Sequence, residues 1–510
     1  LVLGMLGREP ADGTDEAAAA AGETAGGQDA VLLNDLLGLP QPAELRPLHD
    51  AMDHATRAQG RRRVLGHLVE RSSRVRPRLL VIEDLHWADR PTLAHLAALA
   101  AAVPRCPAIL VATSRPEGDP LHPAWWAEAG CDPPLTLDLG PLDPAAARLL
   151  AQPFLAANAT FAERCVERAA GNPLFLEHLL RHAEEGLGNA VPGSVQSLVQ
   201  ARLDRLDPAD REVLQAAAVL GQRFELEPLC HLLGRPDHGL ERLAAHALVR
   251  SRGEGYLFAH ALVREAVYDS LLRSRRRELH RRAAAWYDGR DAALRAEHLD
   301  RADDPGAACA YLAAALAQAA EHRHELALRL AERGLERAGG KADRFALGCL
   351  RGDVLHDLGQ MPAALSAYEG ALATASGEAE QCRALIGCAA VKRVTDDLAG
   401  AFADLARAEA VASGLGLAAE AARIHFLRGN LCFPRGDIEG CLREHRRSLE
   451  LARAAGAAEQ EAAALGGLGD AEYVRGRMIS AHDAFRGCVE LCRERGLGRI
   501  EVANRPMMAL

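Results

Sequence analysis

The sequence predicts a mainly α-helical protein built from several domains. Its 510 residues exceed the size of one domain and correspond to roughly three or four at typical domain sizes. Hydrophobic residues make up 49% and charged residues 25%, as in globular chains with packed cores. Aromatic residues are only 4%, and Ala, Leu, Glu and Arg dominate, which favours helix over strand. A collagen, a disordered chain and an all-β sandwich are excluded.

Composition also limits the cellular setting. No stretch reaches the roughly 20 apolar residues that a membrane-spanning helix needs. Twelve cysteines without CxxC pairs favour reduced thiols in the cytoplasm over a disulfide framework or a zinc site. The net charge of −10 argues against a surface devoted to nucleic acid. The chain begins with Leu1 rather than Met, and we expect it to be a piece of a longer cytoplasmic protein.

Residues 1–140 alternate between strand and helix patterns. Residues 9–28 carry almost no large apolar side chains, which predicts a mobile loop. The continuous run Leu79–Ile82 predicts a strand that is buried on both faces of a parallel sheet. The other predicted elements are helices over 45–75 and 91–102, the second opened by Asp89 and Pro91 as start signals, and strands over 108–112 and 135–139. Strand, helix and strand in this order indicate part of an α/β domain.

Two smaller domains follow this α/β part. Residues 141–190 predict a helical lid, with helices near 143–152, 160–170 and 174–185. Residues 191–290 predict helices and then a hairpin around Gly253-Glu254-Gly255, the order of elements in a winged-helix domain.

Residues 300–510 repeat a pattern of small residues. The clearest copies are Gly352, Leu355, Gly359, Ala364, Tyr368 and Ala371; Gly429, Cys432, Gly436, Cys441, His445 and Ser448; and Gly469, Glu472, Gly476, Ala481, Phe485 and Cys488. Weaker copies carry Ala389, Asp396, Ala401, Leu405 and Ala408, and Ala327 and Ala331. Copies start 37, 37, 40 and 40 residues apart, and the pattern resembles tetratricopeptide repeats. Its small residues predict close packing of paired helices, with the gap filled by a large residue such as Tyr368, four positions after Ala364. The alternative is an Ala-rich helical domain with accidental periodicity; a true array predicts a surface that binds a protein or peptide.

Two carboxylates follow the first predicted strand. Glu83 and Asp84 stand where parallel sheets place their ligands, and one could hold a magnesium-bound water while the other orients a water that attacks a phosphate. The segment LLVIEDLHWAD, ending at Asp89, resembles the Walker B segment of signal-transducing P-loop ATPases of the STAND class. The resemblance implies that Glu83 is the metal-side carboxylate and Asp84 the catalytic one, although Asp is commoner at the first position, so their division of labour stays open.

Further positions match this family. Arg115, after the second strand, corresponds to the sensor 1 arginine that contacts a γ-phosphate, although it could be a plain surface residue. Gly171-Asn172-Pro173 corresponds to the GxP motif, whose proline packs on adenine, although a proline at a helix start needs no functional reason. His260, in YLFAHALVRE, corresponds to a winged-helix histidine that reaches the β-phosphate of ADP; the alternative is a packing or capping role.

A phosphate-cradling loop of the form G-x-x-x-x-G-K-S/T does not occur in the sequence. Lys341 and Lys392 are its only lysines, and neither fits the pattern. We therefore expect the loop to precede Leu1, and residues 1–510 alone to bind and hydrolyse little ATP. Six arginines between Arg273 and Arg282 form the densest basic cluster, which favours a solvated or interdomain helix face over a nucleic-acid site.

The order of these motifs resembles bacterial STAND-type ATPases with tetratricopeptide-like C-terminal regions. The resemblance implies ATP/ADP and Mg²⁺ as cofactors, a partner on the repeats and nucleotide-dependent oligomerisation. Segments such as VIEDLHWADRPTLAHLA and FAHALVREAVYDSLLRSRRRELHRRAA look most like the branch fused to class III adenylate or guanylate cyclase domains. The alternatives are a LuxR-type transcriptional regulator and a repeat scaffold with a degenerate nucleotide site.

Overall fold

The computed structural model has two compact units, Leu1–Pro133 with Leu312–Leu510, and Pro134–Tyr311. Helices dominate both units, which confirms the predicted mainly α class. Among the described residues, no helix has the length and apolar character to cross a membrane. The structure describes Met5, 28–130, 134–184, 200, 203–204, 206–235, 240–246, 248–252 and 255–508.

The first unit begins with helices around a short parallel sheet. Its elements are α1 (Gln28–Leu37), α2 (Arg46–Ala51), α3 (His54–Val75), β1 (Arg78–Ile82), α4 (Arg90–Ala102), β2 (Ala108–Ala112) and α5 (Pro123–Ala129). The strands pair in parallel, with Arg78 opposite Ala108 and Ile82 opposite Ala112. Leu80 packs in one core with residues of α1, α3 and α4. The helices therefore cover one face of the sheet and leave its carboxyl ends accessible.

Three predictions for this part are wrong. The helix predicted over 45–75 is two helices, because Met52 is extended and the Asp53 carboxylate caps α3 by accepting the Thr56 N–H at 2.7 Å. The strand around Leu79 is buried on one face only, and that side chain is 66% exposed. No strand forms within 134–142, because a strand needs a hydrogen-bonded neighbour and these residues pair with none. The predicted mobile loop lies outside the described residues, except Gln28.

The second unit combines helices with a three-stranded antiparallel sheet. Its elements are α6 (Pro144–Ala169), α7 (Pro173–Glu184), α8 (Pro208–Leu220), β3 (Arg223–Phe224), α9 (Leu226–Leu233), α10 (Glu241–Ala245), β4 (Val249–Arg252), β5 (Gly255–Phe258), α11 (Ala261–Ser270), α12 (Arg273–Trp286) and α13 (Ala292–Arg301). Strands β4 and β5 form the predicted hairpin, and β3 pairs with β5. The helices predicted over 143–152 and 160–170 are one helix that contains Pro153, because Ala-rich sequence on both sides sustains it. Whether this unit is a winged helix stays a prediction.

The arginines of α12 bind neighbouring elements of their own unit. Arg275 donates to the Glu212 carboxylate on α8 at 2.8 Å, and Arg282 donates to the Leu232 carbonyl on α9 at 2.8 Å. Asp303 accepts from two more of the arginines. The basic cluster thus joins α12 to its neighbours by ion pairs and backbone contacts.

The repeats form antiparallel helix pairs. Their helices are α14 (Ala307–Ala320), α15 (His324–Arg337), α16 (Lys341–Asp357), α17 (Met361–Thr374), α18 (Glu378–Val394), α19 (Leu398–Leu415), α20 (Ala418–Cys432), α21 (Ile438–Ala455), α22 (Ala458–Val474), α23 (Met478–Arg495) and α24 (Gly498–Asn504). Tyr368, His445 and Phe485 fill equivalent gaps, each against a glycine of the preceding helix. The predicted alternation of small and large residues is therefore the packing rule of the array.

Candidate functional site

The carboxyl ends of β1 and β2 are tied together by Thr113. Its N–H donates to the Ile82 carbonyl at 2.9 Å, and its own carbonyl accepts the Leu85 N–H at 2.9 Å. Its hydroxyl oxygen accepts the Asp84 N–H at 3.1 Å. These bonds bring the loops after both strands to one edge of the sheet.

Glu83 and Asp84 present their carboxylates at this edge. Both residues are exposed, and Asp84 has left-handed backbone torsions, φ 60° and ψ 43°. Asp tolerates this conformation better than most residues. Within the described part of the chain, neither carboxylate makes a hydrogen bond or ion pair, so their oxygens are open to a hydrated cation. Magnesium is typically bound by one or two carboxylates together with waters, and this pair fits that donor set.

Arg115 lies in the loop that leaves the same edge. It follows the last residue of β2, Ala112, by three positions, and its side chain is exposed. Since Ile82 and Ala112 are paired in register, the loops that carry Glu83 and Arg115 start at the same level of the sheet. The loops that carry Glu83, Asp84 and Arg115 therefore leave the same edge of the sheet.

The four residues after Leu85 connect this edge to the repeats. The His86 ring is tilted against Trp87, with centroids 4.8 Å apart, and both of its nitrogens are buried and make no hydrogen bond with any described residue. Asp89 caps α4 by accepting the Thr92 N–H at 2.9 Å, and it also accepts a hydrogen bond from Arg329 on α15. Burial acts in the opposite direction, but these bonds hold the pKa of the Asp89 carboxyl below its usual value. The sequence indicated the cap; it gave no sign of the contact with Arg329.

Gly171 and Pro173 lie in the second unit, where local packing accounts for both. Gly171 has φ +80°, and a Cβ there would lie 2.7 Å from the Leu142 carbonyl oxygen. Asn172 accepts the Phe175 N–H at 3.0 Å, and Pro173 occupies the first turn of α7. The motif therefore forms a tight, capped helix start, and a role towards adenine stays a prediction.

His260 caps α11 in the same unit. Its Nδ1 accepts the Leu262 N–H at 3.1 Å, and the residue is half-buried. The capping role that the sequence left open is therefore present. A contact with a nucleotide phosphate stays a prediction.

The sequence contains no loop of the form that surrounds the phosphates of a nucleotide. Backbone N–H groups of a glycine-rich loop and one lysine normally surround them. Neither Lys341 nor Lys392 belongs to such a loop, since both lie on repeat helices α16 and α18. The carboxylate edge thus fits a hydrated magnesium ion.

A cluster that the sequence analysis missed lies where α2 approaches the first repeat. His49, Asp50 and His322 place possible metal-ligand atoms within 4.8 Å of one another. His49 and Asp50 are adjacent in the sequence, but His322 follows Asp50 by 272 positions, so no spacing rule could connect it to them.

The described residues thus define a mainly α-helical protein that carries an array of tetratricopeptide-like hairpins. A crystal structure from Pyrococcus horikoshii, of a Signal Transduction ATPase with Numerous Domains (STAND) protein with a tetratricopeptide repeat sensor, resembles the chain with a TM-score of 0.56 and 15% identity. The likeness covers 98% of this chain and 72% of that one. At this identity, it establishes a similar fold.

Comparisons by sequence match a smaller part of the chain. No established family profile matches the chain. An uncharacterized protein of Rhizobium meliloti (strain 1021) is 33% identical over 283 residues, which are 47% of this chain and 26% of that protein. The chain therefore spans about a quarter of the relative's length.

Proposed function

We propose that the chain is the regulatory part of an ATP/ADP-dependent signalling switch. The observation that carries the proposal is the path from Glu83 and Asp84, through the turn after Leu85, to Asp89 and its bond with Arg329. A change of charge at the carboxylate edge would be transmitted to the repeat array through the few residues between Asp84 and Asp89. The resemblance of the fold to a STAND protein with a repeat sensor supports this reading.

The proposal assigns each site residue a task. Glu83 holds a magnesium-bound water, and Asp84 accepts a proton from the water that attacks the phosphate. Arg115 carries the positive charge that senses a γ-phosphate. In the second unit, Pro173 would pack on adenine and His260 would approach the β-phosphate. Bound magnesium supplies charge neutralisation, and the proposal requires a phosphate-cradling loop outside residues 1–510.

The output of the switch follows from the sequence resemblance. We assign the repeats to a protein or peptide partner, because stacked hairpins present an extended surface. The effector we favour is an adenylate or guanylate cyclase domain of the same cytoplasmic protein, with an oligomeric state that changes with nucleotide. The alternatives are a LuxR-type regulator and a scaffold with a degenerate nucleotide site.

The decisive experiment measures binding and turnover of Mg²⁺-ATP and Mg²⁺-ADP by the natural chain that carries these residues. Asp84→Asn should retain binding and lose most turnover, because the amide cannot accept the proton. Glu117→Gln is the matched control, since Glu117 is another exposed carboxylate near Arg115 without an assigned role, and it should behave as wild type. If wild type binds neither nucleotide, the switch is excluded and the scaffold reading takes its place.

A further inference from the structure

A group of histidines and carboxylates surrounds the contact between α2 and the turn that joins α14 to α15. The Asp50 carboxylate oxygen Oδ1 lies 3.5 Å from His49 Nδ1 and 3.3 Å from His322 Nε2. His49 is 6% exposed, whereas Asp50 and His322 are partly exposed. The cluster therefore has a buried side and a side that is open to solvent.

A second carboxylate lies behind His49. Asp35, on α1, places Oδ1 3.5 Å from His49 Nε2 and is itself held by Arg61 at 2.9 Å. That nitrogen of His49 is buried, and Asp35 is the carboxylate that faces it. A proton on Nε2, directed at Asp35, leaves Nδ1 bare and facing Asp50. Carboxylates orient metal-binding histidines in this way in proteins.

The backbone at His322 holds its ring in place. The residue has φ +59°, in the left-handed region that non-glycine residues seldom occupy. The residue lies in the turn that ends α14, where the Arg323 N–H donates to the Gln318 carbonyl at 2.9 Å, and left-handed torsions are common at helix ends. This turn places the His322 ring in T-shaped contact with His49, with ring centroids 5.4 Å apart.

The distances are also compatible with metal coordination. Without an ion, His322 Nε2 and Asp50 Oδ1 form a hydrogen bond of 3.3 Å, slightly longer than the usual range of about 2.7–3.2 Å. A tetrahedral zinc ion with bonds of about 2.0–2.1 Å keeps its ligand atoms roughly 3.3–3.4 Å apart. The two separations of 3.3 and 3.5 Å are close to that value. Two imidazoles and one carboxylate are also a donor set that suits zinc.

We propose that His49 Nδ1, Asp50 Oδ1 and His322 Nε2 form a binding site for a divalent transition-metal ion, with zinc as the preferred ion and water in the fourth position. Arg57, which donates to the His49 carbonyl at 3.1 and 2.8 Å, brings a positive charge near the site, and the carboxylates of Asp35 and Asp50 offset it. The ion would join α2 to the first repeat hairpin, across 272 residues of chain. It would therefore act as a cross-link within this unit rather than as a catalytic group.

The test is a zinc titration of the metal-stripped chain against a chromophoric chelator, repeated with Co²⁺ to record its visible absorption. We expect one ion per chain, and a melting temperature that rises with free zinc because only the folded state holds the site. His322→Asn removes the imidazole with a residue that tolerates left-handed torsions, and it should abolish stoichiometric binding. His67→Asn, at a histidine whose side chain is 61% exposed, should bind as wild type.

A variant with an intermediate expected effect on zinc binding distinguishes metal coordination from simple packing. Asp35→Asn should weaken zinc binding by roughly 10–100-fold without abolishing it, the usual effect of losing the partner of a metal-bound histidine. Circular dichroism and metal-free melting of each variant establish that it folds. Absence of zinc binding by wild type, or equal binding by wild type and His322→Asn, would overturn the proposal. Neither result depends on nucleotide, so failure here is distinct from failure of the switch.

Discussion

Replacing Gly387 with Ala should destabilise the repeat array although alanine is the better helix former. A Cβ at Gly387 would lie 2.4 Å from the Tyr368 ring, well inside van der Waals contact. The ring has no room to yield, because Gly352 lies against it and its hydroxyl donates to Asp353 at 2.6 Å. Overpacking of this kind costs about 1–3 kcal/mol, and the tight contact favours the upper end.

Gly370→Ala is the matched control for this substitution. Gly370 also lies inside a helix, but a Cβ there meets no atom within 4 Å. It should gain the helix-propensity difference of roughly 1 kcal/mol, whereas Gly387→Ala should lose about 1–2 kcal/mol in net stability. Because both variants share the propensity gain, the difference between them isolates the packing penalty.

Urea unfolding followed by circular dichroism measures the difference. Tyr368→Leu supplies a further check, since Leu405 occupies the corresponding position in the next repeat. In the Tyr368→Leu background, the Gly387→Ala penalty should largely disappear, as a double-mutant cycle would show. Equal stabilisation by Gly387→Ala and Gly370→Ala would refute the packing rule.

Two further predictions concern His445 and Arg329. Burial lowers the pKa of His445 to about 4, below the usual histidine value of about 6.5, so the unfolded chain binds more protons between these values and stability falls as the pH drops. His445→Phe, which copies Phe485, should remove about 2 kcal/mol of the loss between pH 8 and pH 5 in urea titrations, and equal pH dependence in both proteins would contradict this. Arg329→Gln should leave ATP turnover of the natural chain intact but abolish its response to a repeat-bound partner. Arg447→Gln, at an arginine paired within its own helix, is the control, and an unchanged response in Arg329→Gln would disprove the coupling.

Local rules accounted for much of this fold. The spacing of Gly352 and Tyr368 predicted their contact, because a gap left by one side chain must be filled by another. Asp89 predicted the start of α4, since a side-chain oxygen there satisfies the first N–H groups. The same rule, applied to Asp53, would have divided the helix predicted over 45–75. The prediction of one helix followed instead from an apolar pattern with helical spacing, which continues across the break.

The remaining differences arise from contacts that the sequence does not encode locally. Pro153 lacks an N–H, but helix-forming neighbours carry α6 past it. The leucines near Leu137 alternate as in a strand, yet a strand also requires an adjacent strand. At the carboxylate edge, Glu83 and Asp84 could be predicted as a pair of site residues because they are adjacent in the sequence. The bond between Asp89 and Arg329 joins residues 240 positions apart, and only the folded chain shows it.

The repeat array meets helix α2 at two points. Asp50 faces His322 in the first hairpin, and Pro47 lies against Gly498 at the start of α24, where a Cβ would come within 2.9 Å of its carbonyl oxygen. The six-residue helix α2 therefore contacts both ends of the described array. A partner that changes the curvature of the array must either break one of these two contacts or rotate α2. Helix α2 thus closes the described array into a loop, and a change in the curvature of the array would move both contacts at this one short helix.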